Sequence, residues 1–70
     1  MRYKVRAPDK TAYEALLRRL NEDDAVEVIT TSPRRRVIAT GDLTEASRRE
    51  IRARGGEIIE DYQYDLEHPG

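Results

Sequence analysis

Two β-α-β patterns follow one another in a chain of only 70 residues, and the halves echo each other at a spacing of about 33, with Val5, Asp9 and Val26 set against Val37, Asp42 and Ile59. So short a repeat leaves few topologies open. Strands joined by right-handed crossovers pack into one sheet, and each crossover helix returns onto the same face of that sheet. Each element is marked by its own local pattern.

In the first half, Arg2 to Ala7 alternates, with Tyr3 and Val5 on one side and Arg2, Lys4 and Arg6 on the other, which predicts a strand with one buried face. Pro8 stops it. Thr11-Ala-Tyr-Glu14 has the spacing of a capping box and predicts a helix start, because the Thr hydroxyl and Glu carboxylate satisfy otherwise unpaired amides of the first turn. Ala12, Tyr13, Leu16, Leu17 and Leu20 then recur at three and four residues as one apolar stripe, and Asn21 to Asp24 ends the helix.

The second half begins with strands predicted at 25–31 and 35–40, joined around Ser32-Pro33-Arg34, where Pro presets a turn dihedral and cannot donate to a ladder. Asp42 and Glu45 again have capping-box spacing, ahead of a second helix running to about Arg54 that is apolar only at Leu43, Ala46 and Ile51. Gly55-Gly56 supplies a left-handed cap, and Ile58 to Tyr64 predicts the last strand. The expected fold is therefore α+β: a ferredoxin-like βαββαβ sandwich over residues 1–64, with a four-stranded antiparallel sheet and two helices on one face, followed by an extended tail at 65–70. This fold serves many functions and selects none of them.

Composition sets what such a domain can afford. Five Ile, four Val, five Leu, one Met and four Tyr are the whole stock of large apolar side chains, while charged residues make up 39%. A core this small gives marginal stability, and a partner that binds only the folded chain adds to it by mass action. With no Cys, neither a disulfide nor a thiolate metal site can help. No apolar run reaches the length of a membrane span, and Met-Arg-Tyr-Lys-Val-Arg lacks the apolar segment of a secretory leader. The expectation is a chain that stays in the compartment where it is made, unless it is excised from a secreted precursor. Charge is divided by sign: Arg34 to Arg54 holds seven Arg against three acids, and Glu57 to Gly70 holds five acids and no Lys or Arg. Such blocks suit a basic-surfaced partner for the tail, or internal pairing, or simply solvated faces.

A sheet covered on one side should alternate cleanly, yet branched aliphatics fall on both phases at Val28 and Ile29, Val37 and Ile38, and Ile58 and Ile59. With the helices on one face, Ile29, Ile38 and Ile59 are expected to form an apolar patch on the other, an interaction surface. The alternative is a bulge or strand end that moves one of each pair to the rim.

No catalytic residue is assigned. The one His, His68, lies near the end of the chain, and there is no glycine pattern that cradles phosphate. Glu60-Asp61 and the Asp65 and Glu67 pair lack a ligand loop of the calcium-binding type, so no metal or cofactor is expected. Arg34, Arg35, Arg36, Arg48, Arg49 and Arg52 could grip phosphates, but the third strand has no aromatic and Tyr3 of the first is expected to face the helices, so the stacking platform of RNA-reading sheets is missing.

Val26 to Thr31, the hairpin, Val37 to Thr40, Leu43-Thr-Glu-Ala, the short helix and Ile58-Ile-Glu-Asp-Tyr-Gln-Tyr-Asp-Leu-Glu67 together resemble the propeptides of subtilisin-type serine proteases, the peptidase inhibitor I9 family. The resemblance covers nearly the whole chain in element order and length. It implies an intramolecular folding chaperone and inhibitor that packs its open sheet face on two surface helices of the protease. It also implies that acids at the end of the fourth strand cap those helices, with Asp61 at one such position and Glu60 beside it, while Ile59 falls where another acid is usual. The tail would then lie in the substrate cleft as an added strand. Tyr64, Asp65, Leu66 and Glu67 match the last four subsites, with Tyr64 in the apolar fourth pocket and Glu67 in the primary pocket; a shift by one residue places Leu66 there instead. Continuation through His68-Pro69-Gly70 points to an inhibitor acting in trans, an unprocessed form or an engineered variant. Two other readings stay open: a regulatory module that dimerises through the sheet face, and a nucleic-acid binder using the arginines.

Overall fold

The computed structural model of the chain describes residues 1–61. The sequence-predicted division into a domain at 1–64 and a tail at 65–70, and the tail positions Tyr64, Asp65, Leu66 and Glu67, lie at or beyond this limit and so outside the described residues.

Six elements follow in the order β1 (Arg2–Arg6), α1 (Lys10–Glu22), β2 (Val28–Ser32), β3 (Val37–Thr40), α2 (Glu45–Ala53) and β4 (Glu57–Asp61). The four strands form one sheet in the order β2-β3-β1-β4 with every neighbouring pair antiparallel. This is the ferredoxin-like arrangement: β1 and β3 are central, and β2 and β4 are the edges.

Alternation in β1 works as its sequence indicates, with Tyr3 and Val5 buried and Arg2, Lys4 and Arg6 exposed. Val5 pairs with Ile38 on one side and Ile58 on the other, so the three branched side chains share a row facing the helices. Leu16 and Leu20 of α1 and Ile51 of α2 join Val5 and Ile38 in a single cluster, each with no exposed surface, which shows that both helices cover the same face.

Both helix starts differ from the sequence expectation. The cap of α1 is Asp9, whose Oδ1 accepts from the Ala12 amide at 2.8 Å, and not Thr11, which sits inside the first turn. The cap of α2 is Thr44, whose hydroxyl accepts from the Ser47 amide at 3.1 Å, and not Asp42. Asp42 instead pairs with the N-terminal ammonium at 3.4 Å. At the far end of α2 the glycine signal holds: Gly55 has φ +80°, and the amides of Gly55 and Gly56 donate to the carbonyls of Arg52 and Ile51 at 3.0 and 2.8 Å. Ala46, expected in the apolar stripe, is exposed, and Ser47 is buried beside Ile51.

The β2-β3 connection is the least regular part. Its turn closes through the Arg36 amide donating to the Pro33 carbonyl at 3.2 Å, and Arg36 itself has φ +58°. A residue in that left-handed conformation directly after a tight turn is where hairpins of this length usually carry glycine. A side chain with a Cβ costs about 1 kcal/mol there. β2 is also shorter than predicted, because Val26 is buried ahead of the strand and Ile29 is an extra residue between Val28, opposite Thr40, and Thr30, opposite Ala39.

Candidate functional site

The face of the sheet turned away from the helices is built from the second phase of each strand. Its rows follow from the register: Ser32, Val37, Arg6 and Glu57 in one, and Thr30, Ala39, Lys4 and Ile59 in the next. Arg2 and Asp61 occupy opposed register positions at the end of β1 and β4.

Of the three isoleucines expected on this face, the structure places two on the surface. Ile29 is 36% exposed at the bulge and Ile59 is 42% exposed on β4. Ile38 is a correction: it is fully buried in the core. The reason is register. Pairing of Ile38 with Val5 fixes its phase toward the helices, so its neighbours Val37 and Ala39, both half-buried, take the open side. The apolar content of the open face is therefore Val37, Ala39 and Ile59, with Ile29 exposed at the bulge of the edge strand, and no aromatic side chain of β1 or β3 contributes to it. Tyr3 is turned to the helices, where the Arg48 guanidinium lies 5.0 Å from its ring centroid.

The central strand gives this face a feature the hydrophobic pattern did not signal. Arg2, Lys4 and Arg6 form a stripe of cations down its middle. Arg6 has a loose partner, Glu57, at 3.9 Å, and both side chains are well exposed, so the pair holds little energy. Lys4 lies between Ala39 and Ile59 with no ion pair among the described residues. Alternation was legible in the sequence, but the convergence of its polar phase with Ala39 and Ile59 depends on strand order.

The two acids predicted to cap a partner's helices occupy successive register positions on β4. Glu60 is opposite Tyr3 and so belongs to the helix-facing phase, while Asp61 is one position on, opposite Arg2.

A second polar cluster, absent from the sequence reading, ties the two helices at the other side of the molecule. Asp23, at the end of α1, accepts from the Ala25 amide at 3.0 Å, the Thr44 hydroxyl at 3.0 Å and the Ser47 hydroxyl at 2.9 Å. These donors, led by the Ala25 amide, hold the Asp23 carboxyl below its ordinary value. Its location at a helix-helix junction, with its hydroxyl partners serving as the cap of α2, makes it a structural clamp.

Among the described residues no three His, Asp or Glu side chains converge as a metal site would require, and no helix is long and apolar enough to cross a membrane. No family model matches the chain, and neither the curated proteins nor the solved structures contain a match.

Proposed function

We propose that this chain is a binding module of the protease-propeptide type, which inhibits a subtilisin-like serine protease or assists its folding by docking its open sheet face and leading its last residues into the substrate cleft. The observation that carries the reading is the pairing of a partly apolar sheet face that no element among the described residues covers with an edge strand, β4, which borders it and precedes the acidic, tyrosine-bearing sequence 62–70. Sheet face and C-terminal residues then act as two linked contacts, and linkage raises the overall affinity. Asp61, paired with Arg2 at the end of β4, and Glu60 beside it are the acids that would meet helix N-termini of the protease. Tyr64, Asp65, Leu66 and Glu67 supply the cleft contacts, with either Glu67 or Leu66 in the primary pocket.

The same face is poorly suited to pack on its own copy. A two-fold sheet-to-sheet dimer would bring the Arg2, Lys4 and Arg6 stripe of one protomer against that of the other, which like-charge repulsion opposes.

The test is inhibition of subtilisin by the full chain and by a chain ending at Tyr62. The full chain is expected to inhibit, and the truncated one to lose about a hundredfold or more in inhibition constant with an unchanged thermal melt. Absence of inhibition by the full chain, or equal inhibition by both, overturns the reading.

A further inference from the structure

Two local rules are broken at the tip of the β2-β3 hairpin. The turn Pro33-Arg34-Arg35-Arg36 sets three like charges side by side, all exposed, and none of the three has an ion-pair partner among the described residues. Its last residue holds φ +58°, where glycine fits without strain and arginine does not. The turn is nevertheless pinned, since the Arg36 carbonyl accepts from the Ala7 amide at 2.9 Å and the Arg36 amide donates to Pro33. Positions where a sequence works against its own local stability are where function is to be sought.

The tip is continuous with the open face. Val37 follows Arg36 directly and pairs with Arg6, and Lys4 is two residues further along the same strand, so a basic strip runs from the middle of the face to the end of the hairpin. Arginine's planar fork suits carboxylates held on a folded surface, and an exposed cluster at the rim of an interface mainly accelerates encounter.

We propose that the arginine tip is an outlying contact for an acidic patch on the same protein that covers the open face, so that the partner is recognised by negative charge beside its docking surface as well as by its cleft. This rests on the protease-binding reading and adds to it the charge of the surface that the protease must present. It also gives a strained Arg36 a role: the side chain acts in the complex, and its backbone cost falls on the free protein.

The experiment measures association rate and inhibition constant with subtilisin-type proteases of differing surface charge, at low and high salt, for the wild-type chain and three variants. Arg34→Glu with Arg35→Glu and Arg36→Glu is expected to slow association with an acidic-surfaced protease by about tenfold or more at low salt and to flatten its salt dependence. Arg36→Gly is expected to melt higher than wild type yet associate more slowly, and that opposition separates binding from folding. Arg18→Glu, on α1 away from the sheet face, is the control and should change neither. If the wild-type chain inhibits no such protease, the functional reading fails and this proposal with it. If it inhibits and the tip variants match wild type in rate and salt dependence, this proposal alone is overturned. Binding of a duplex DNA oligonucleotide that the triple variant abolishes, with inhibition unaffected, assigns the tip to phosphates and also overturns it.

Discussion

Replacing Ile38 and Ile59 by alanine, one at a time, tests which side of the sheet is the core. The two residues are isoleucines on β3 and β4, the strands that flank β1 in the same sheet, and sequence pattern alone treats them alike. Ile38 has no exposed surface and packs in the row of Val5 between sheet and helices. Cutting it to alanine removes three carbons, about 2.4 kcal/mol of transfer free energy at about 0.8 per methylene. The cavity left behind adds to that, so the total falls at about 3 to 4 kcal/mol. At about 0.05 to 0.15 kcal/mol per residue, a chain of this length holds only about 3.5 to 10 kcal/mol, so Ile38→Ala removes a third of it or more. The melting temperature should fall by about 15 °C or more. Ile59 is 42% exposed, and its replacement should cost under about 1 kcal/mol and move the melt by only a few degrees. Urea and thermal unfolding followed by circular dichroism measure both. Equal losses in the two variants, or a larger one for Ile59→Ala, would refute the assignment of faces on which the binding account rests.

Two further perturbations probe the frame that holds the face. A Cβ at Gly56 would lie 2.9 Å from Ile51 Cγ2, 3.1 Å from the Ile51 carbonyl oxygen and 3.3 Å from that of Arg6, so Gly56→Ala should destabilise by about 1 to 3 kcal/mol in urea unfolding. Asp23 has a carboxyl held low in the folded chain, so its contribution is fully present above the unfolded value near 3.8 and is lost as pH falls through the folded one. The wild-type melt should therefore exceed that of Asp23→Asn at neutral pH, and the gap should narrow below about pH 4; a gap independent of pH would remove the carboxylate from the clamp.

What was legible in the sequence and what was not divides along a physical line. The alternation of Tyr3 and Val5, the stripe at Leu16 and Leu20, and the glycine pair after α2 are local signals whose geometry depends on nothing distant, and each is realised in the fold. Caps were not legible, because Thr11-Glu14 and Asp42-Glu45 have the spacing of a capping box, whereas the true caps, Asp9 with Ala12 and Thr44 with Ser47 three residues on, lack its acid. Thr44 prevails at α2 through Asp23, a partner 21 residues away that no local window contains. Doublets such as Val37-Ile38 fit either phase, and only pairing with Val5 decides between them. The bulge at Ile29 then decouples β2 from the alternation on which the patch was predicted. For the proposed docking face, the exposed Ile59 and the edge position of β4 were legible, whereas the central Lys4 emerges only once strand order places it between Ala39 and Ile59.

If the chain acts as proposed, the protease covers the open face in the complex. Methyl chemical shifts of the isoleucines, recorded as subtilisin with its nucleophilic serine replaced by alanine is added to the labelled chain, report this directly. Ile29 and Ile59 should shift or broaden on binding while Ile38 and Ile51, both fully buried, stay close to their free positions. No change at Ile59 at saturating enzyme would contradict it.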